Sequence, residues 1–144
     1  MRELKTEIHI AASADKVWRI LMDFEHWKDW NPIVNQASGA AAEGSKLSIT
    51  MTGNGGKDGP KYMPAITNFE QPKFFRWRAS MLGGLLMTND KVFELQETNE
   101  GTRLIHKELY SGLMPKLFWN KLNNFVPGML NSMNSALKTL AEKN

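Results

Sequence analysis

Cysteine is absent from the 144 residues of the chain, and this absence excludes several kinds of chemistry. Disulfide bonds, thiolate zinc sites, iron–sulfur clusters and thiol nucleophiles all require it. The chain must therefore hold its fold by packing alone, and a chain of this length can bury one sizeable core. We predict a single domain over residues 1–144, and the absence of disulfides favours a cytoplasmic location.

Long apolar runs and clustered charges are missing as well. No stretch of 18 apolar residues occurs, and the charged start of the chain does not look like a secretory signal, so we expect no stable membrane insertion. The 18 basic and 15 acidic residues are interleaved, which argues against a nucleic-acid partner. His9, His26 and His106 are the only histidines, and no two of them share one element at ligand spacing. We therefore expect neither a metal nor a cofactor.

Two periodicities divide the chain into strands and helices. Residues 3–10 alternate as a half-buried strand, and Ser13 is placed to cap a helix that ends near Met22. A second short helix over 24–30 stops at Asn31-Pro32. Further strands are predicted over 33–40, 46–52, 62–70, 74–80, 86–97 and 102–110, with a glycine-rich loop over 53–60.

The last part of the chain, from Pro115 to Glu142, changes to the 3.6-residue period of a helix. Its apolar stripe consists of Phe118, Leu122, Phe125, Val126, Met129, Leu130, Met133, Leu137 and Leu140. We expect Pro127 to kink or break the helix near residues 123–127. Because a sheet with one apolar face needs a cover, the sequence predicts an α+β fold. In this fold a curved antiparallel sheet of six to seven strands wraps around the long C-terminal helix, and two short helices follow the first strand.

Apolar loops rich in glycine gather at one end of such a sheet. Counting the strand directions brings the segments 24–32, 53–60, 80–86 and 111–115 together. They carry Trp27, Trp30, Met81, Leu82, Leu85, Leu86, Leu113 and Met114. We interpret these loops as a lid over an opening or as a contact surface for another protein, and the alternative is that they plug the sheet as an ordinary core does.

Three segments of the chain carry a family pattern. They run from Ser13 to Pro32, from Ile66 to Trp77 and from Gly101 to Lys138. In order and spacing they resemble the START-like, Bet v 1-like (SRPBCC) superfamily, and within it the polyketide cyclase/dehydrase-like group. The resemblance implies a helix-grip fold with a cavity between the sheet and the C-terminal helix. It implies less about function, because the family includes lipid carriers, hormone receptors and cyclases.

One strand departs from that family pattern. Members of the group often carry a Gly-Glu-His-Phe-like stretch where this chain has Asn89-Asp90-Lys91-Val92-Phe93, so the acid and the histidine are missing in that register. Proton chemistry at that strand is therefore in doubt.

The last strand offers the candidate polar groups. Its alternate residues are Thr102, Leu104, His106, Glu108 and Tyr110 on one face and Arg103, Ile105, Lys107 and Leu109 on the other. Because arginine and lysine are rarely buried, we expect the first set to face the interior, and the alternative places Ile105 and Leu109 there. His106 and Glu108 are the weak candidates for a catalytic acid or base, and the alternative is a structural hydrogen-bond network.

The expected ligand-binding residues combine this strand face with the other walls. They are Trp77, Phe93, Leu104, His106, Glu108, Tyr110, Met114, Phe118, Leu122, Phe125, Met129 and Met133. Our main hypothesis is noncatalytic binding or transport of a small hydrophobic molecule, either lipid-like or aromatic. The first alternative is a polyketide cyclase or dehydratase that uses His106 or Glu108. The second is a protein-interaction module that uses the apolar loop end.

Overall fold

Alternating apolar and polar residues form eight strands in the computed structural model, which describes residues 1–143. The strands are β1 (Arg2–Ile10), β2 (Val34–Ser38), β3 (Ser48–Thr52), β4 (Asp58–Tyr62), β5 (Ala65–Glu70), β6 (Phe74–Met81), β7 (Met87–Thr98) and β8 (Gly101–Ser111). The helices are α1 (Ala14–Met22), α2 (Leu113–Leu117) and α3 (Trp119–Ala141), and short 3₁₀ turns cover Phe24–Asp29, Asn54–Gly56 and Leu82–Gly84. In the part of the chain that is described, no helix is long and apolar enough to cross a membrane.

The strands are divided between two antiparallel sheets. Five pair in the order β1-β8-β7-β6-β5 and three in the order β2-β3-β4. The predicted α+β class is confirmed, although the strands number eight and do not form one sheet of six to seven. The strand predicted over 62–70 is interrupted at Met63-Pro64, where proline has no N–H to donate to a ladder. The segment 58–60, predicted as a loop, instead belongs to β4 and pairs with β3.

The C-terminal helix differs from the prediction near its start. Of the kink or break predicted near residues 123–127, the break is wrong, because α3 continues through Pro127 and the interruption lies at Phe118, between α2 and α3. Pro127 removes one hydrogen bond, to the carbonyl of Asn123, and Asn123 is exposed, so water can replace the missing donor. The start of the apolar stripe also stays uncovered, with Phe118 49% and Phe125 67% exposed.

The inner face of the five-stranded sheet is covered by α1 and by the later turns of α3. Ser13 caps α1 as predicted, accepting a hydrogen bond from the backbone N–H of Lys16 at 3.2 Å. Leu130, Met133 and Leu137 of α3 are buried over the sheet. The first turns of α3 contact the sheet at β1 and β8, where Trp119 packs against Tyr110 and Val126 lies in a cluster with Leu4.

Candidate functional site

The pairing of the strands determines which side chains share the inner face. Across the sheet, Glu108 of β8 lies opposite Lys91 of β7, which lies opposite Trp77 of β6. The next rows place His106 opposite Phe93, and Tyr110 opposite Asn89. The side chains on the predicted inner face of β8 are all buried, namely those of Thr102, Leu104, His106, Glu108 and Tyr110.

Glu108 is the centre of a polar cluster on this face. Lys91 Nζ donates a hydrogen bond to Glu108 Oε2 at 3.2 Å. Tyr110 donates its hydroxyl proton to Glu108 Oε1 at 2.8 Å, and Asn89 Nδ2 donates to the same oxygen at 3.1 Å. The Lys91 and Glu108 side chains are only 7% and 12% exposed, so the ion pair is almost completely removed from water. Three donors therefore hold one buried carboxylate.

His106 extends this cluster to α3 and β1. Its Nε2 lies 3.0 Å from Lys91 Nζ, and its Nδ1 lies 2.7 Å from Asn134 Oδ1. Asn134 Nδ2 donates to Thr6 Oγ1 at 2.8 Å, and the Thr6 hydroxyl donates to the backbone carbonyl of His106 at 2.8 Å. Phe93 stacks on the imidazole with 4.3 Å between ring centroids. The cluster thus fastens α3 to the sheet.

The charge state of His106 follows from these neighbours. Burial, together with the positive charge of Lys91, lowers its pKa well below the usual value, and the hydrogen bond to Asn134 opposes this shift only in part. The imidazole is therefore neutral at pH 7. Its Nδ1–H donates to Asn134, and its Nε2 lone pair accepts from Lys91.

A cavity of about 690 Å³ opens beside this cluster, between β6, β7 and β8, the β3–β4 hairpin and α3. It is lined by Ile33, Met51, Pro60, Lys61, Tyr62, Met63, Ala79, Ser80, Met81, Met87, Asn89, Lys91, Glu108, Tyr110, Val126 and Met129. Burial and the charge of Glu108 raise the pKa of both Tyr62 and Tyr110, so both keep their hydroxyl protons. The cavity thus combines apolar walls with one end that presents hydrogen-bond donors.

A second recess, the α2–α3 groove, lies next to the cavity. Its volume is about 620 Å³, and it is lined by Met87, Met114, Pro115, Phe118, Lys121, Leu122, Asn124 and Phe125. Leu82 and Leu85 of the predicted apolar loop end, in the segment between Met81 and Met87, are 75% and 79% exposed.

The residues predicted for one ligand site are distributed among four places. Glu108, Tyr110 and Met129 line the cavity, whereas Met114, Phe118, Leu122 and Phe125 line the α2–α3 groove. Trp77, Phe93, Leu104 and Met133 lie in the packed core, and His106 lies behind Lys91. Within residues 1–143 no cluster of three His, Asp or Glu side chains could hold a metal ion.

Sequence reasoning missed Lys91 and Tyr62 at the polar end. The signal for Lys91 was available, because Phe93 was expected inside and residues two apart in a strand share a face. Because lysine is rarely buried, the sequence alone favours an exposed position for Lys91. Tyr62 was assigned to the start of a strand, with no indication of which face it would occupy.

The fold is shared with solved structures. A START superfamily protein from Mycobacterium smegmatis is 17% identical with a TM-score of 0.77, and the match covers 97% of both chains. The di-domain ARO/CYC StfQ from the steffimycin biosynthetic pathway is 14% identical with a TM-score of 0.78, over 97% of this chain and 50% of that chain. A protein from Nitrosomonas europaea is 18% identical with a TM-score of 0.72, over 96% of this chain and 95% of that chain.

The family comparison agrees with these structures and with the resemblance seen in the sequence. No curated protein matches the chain. The family described as polyketide cyclase / dehydrase and lipid transport matches residues 1–142, which is nearly the whole chain. The chain therefore belongs to the polyketide cyclase / dehydrase and lipid transport family.

Proposed function

We propose that the protein binds a small hydrophobic molecule in the 690 Å³ cavity and releases it unchanged. Membership of the family supports a ligand-binding or cyclase role. The observation that carries the proposal is an apolar cavity with a polar end built on the buried Lys91–Glu108 pair. Its volume lies within the range of roughly 300–1,000 Å³ that is usual for small-molecule sites.

The hydrogen bonds of the polar end favour binding over catalysis. A general acid or base must be able to exchange a proton with the substrate. Glu108 already accepts from three residues, and both ring nitrogens of the fully buried His106 have partners. The hydrogen-bonding atoms of both groups are therefore already engaged by protein partners. Lys91 has three ammonium protons and uses two of them on His106 and Glu108, so one remains for a ligand.

The ligand that fits is an apolar molecule with one hydrogen-bond acceptor, such as a carbonyl or a hydroxyl oxygen. The remaining proton of Lys91 and the Tyr62 hydroxyl supply donors to that oxygen. The apolar part lies against Ile33, Met51 and Met129, and its burial contributes roughly 25 cal/mol per Å² before the costs of association are subtracted.

Calorimetric titration with two matched ligands tests the proposal. 2-Acetonaphthone carries a carbonyl and 2-ethylnaphthalene has nearly the same shape without one. We expect the ketone to bind at least tenfold more tightly, because the ketone alone can accept from Lys91. Lys91→Met should remove most of this preference, because it keeps the apolar stem and loses the donors.

Filling the cavity gives the second arm of the test. Met129→Trp places an indole into the lining and should weaken binding of 2-acetonaphthone more than tenfold. Leu117→Trp is the matched control, because Leu117 is 67% exposed on α2 and lines neither recess. Binding by the Met129→Trp variant at wild-type strength, or no binding by the wild-type protein, would contradict the proposal.

A cyclase is the second candidate, favoured by the similarity to a di-domain ARO/CYC structure and by the donors beside the cavity. Lys91 and Tyr62 would polarise a ketone, and Glu108 would have to give up one donor to act as a base. Deuterium exchange at the methylene of 1-phenylbutane-1,3-dione, followed by NMR, tests this role. Catalysis requires that the protein accelerate the exchange and that Glu108→Gln abolish the acceleration while the diketone still binds.

A further inference from the structure

The α2–α3 groove has no role in binding at the cavity. Its walls are mostly apolar, with Lys121 and Asn124 as the polar residues. Two aromatic side chains of the groove are left largely in water, since Phe118 is 49% and Phe125 is 67% exposed. Exposed apolar surface of this kind often marks a binding groove.

The groove and the cavity are adjacent, and Met87 lines both. Met87 is partly buried and packs against an apolar cluster that contains Tyr110 and Val126 of the cavity lining. Leu122 of the groove lining packs against the same cluster. Methionine is unbranched and has three rotatable bonds, so it can change conformation at little cost. Met87 is therefore the flexible side chain that the two spaces share.

We propose that the groove is a second subsite for the ligand of the proposed function, on which this inference rests. The ligand class is then a single-chain amphiphile. Its oxygen-bearing head occupies the cavity at Lys91 and Tyr62, and its hydrocarbon chain passes Met87 and lies between Phe118, Leu122 and Phe125. A compact aromatic molecule would leave the groove empty, whereas a chain covers the exposed phenyl rings.

Chain length is the variable that tests this class. Affinities of the alkan-2-ones from octan-2-one to tetradecan-2-one are measured by displacement of a fluorescent probe from the full chain. Each methylene buried in the groove should raise the affinity about fourfold, the equivalent of about 0.8 kcal/mol. Affinity should therefore keep rising through the longer ketones, and because tetradecan-2-one has less volume than the 690 Å³ cavity, the groove variants must show where the added methylenes lie.

Two variants that act differently locate the chain. Leu122→Trp fills the groove, and Phe125→Glu places a carboxylate in it at an exposed position where folding is not at risk. Both should flatten the dependence on chain length among the longer ketones, while the Leu117→Trp control should keep the wild-type slope. Thermal denaturation of each variant shows whether it is folded.

The outcomes separate this inference from the proposed function. If 2-acetonaphthone binds to the wild-type protein but affinity stops rising at short chains, or if both groove variants keep the wild-type slope, the second subsite is refuted and the cavity proposal stands. The groove would then be a surface for a protein partner. If neither 2-acetonaphthone nor any ketone binds, the proposed function itself is refuted, and the subsite with it.

Discussion

Acid should destabilise this protein through a single buried histidine. His106 is fully buried, and its pKa lies well below the ordinary value because of burial and the charge of Lys91. In the unfolded chain the imidazole has a pKa of about 6.5. As the pH falls below that value, the unfolded state binds a proton at this imidazole and the folded state does not. The contribution of the neutral His106 to the free energy of unfolding is therefore fully present above about pH 6.5 and is lost as the pH falls below that value.

The size of the effect follows from this difference in proton uptake. If the folded ring stays neutral down to pH 5.0, lowering the pH from 7.5 to 5.0 costs about 2 kcal/mol of unfolding free energy. His106→Gln provides the comparison, because the glutamine amide has an NH₂ donor group and a carbonyl acceptor but does not titrate. His26, whose pKa is raised by Asp23, changes stability in the opposite direction, but it is present in both proteins and cancels.

Urea denaturation followed by tryptophan fluorescence measures both proteins at pH 7.5, 6.5 and 5.0. The wild-type protein should lose about 2 kcal/mol more than the His106→Gln variant over this range. The variant is expected to be less stable at pH 7.5, which does not affect the comparison of slopes. Equal losses in the two proteins would show that His106 binds a proton in the folded state, and the assignment of a neutral ring would be wrong.

The remaining predictions concern stability. Lys91→Met and Glu108→Gln should each destabilise the protein by about 3 kcal/mol, because each leaves a buried partner unpaired, whereas the double variant should lose at least 1 kcal/mol less than the sum of the two. If the losses of the two single variants add up, within error, to the loss of the double variant, the two residues are not coupled. Gly101→Ala should cost more than about 1 kcal/mol, because a Cβ there would clash with the carbonyl oxygen of Ile10 at a φ of +138°. Gly128→Ala, in α3 with nothing within 4 Å, should stabilise the protein by about 0.5–1 kcal/mol. Chemical denaturation measures all five variants, and a Gly101→Ala variant as stable as the wild-type protein would contradict the geometry.

The parts of the fold that the sequence could predict are those governed by local patterns. The alternation in residues 3–10 and 102–110 predicted β1 and β8, and Ser13 predicted the start of α1. The division of the strands into a five-stranded and a three-stranded sheet was not predictable in the same way. Gly59 and Pro60 are typical of a loop, and only pairing with β3, a non-local contact, makes their segment a strand.

The candidate site was harder to predict, because its members depend on contacts between distant parts of the chain. Lys91 is buried only because Glu108 and His106, 17 and 15 residues away, accept its protons. The amphipathic stripe of the C-terminal helix predicted burial of Phe118 and Phe125. In the structure both rings instead lie outside the core, and Phe118 stands at the interruption between α2 and α3. A helical pattern shows which residues share a face but cannot show whether another element reaches that face.

The polar cluster is better explained by recognition of a ligand than by stability. A buried ion pair costs desolvation on both sides, and replacing such a pair with apolar residues of similar volume is often neutral or stabilising. Lys91 and Glu108 could thus be replaced by a leucine pair without loss if the inner face served only as a core. The cluster instead joins a cavity on one side and Asn134 of α3 on the other. A carboxylate held by three donors keeps the ammonium of Lys91 in place, with one proton free, before any ligand arrives. Such preorganisation lowers the cost of recognising a single oxygen atom on an otherwise apolar molecule.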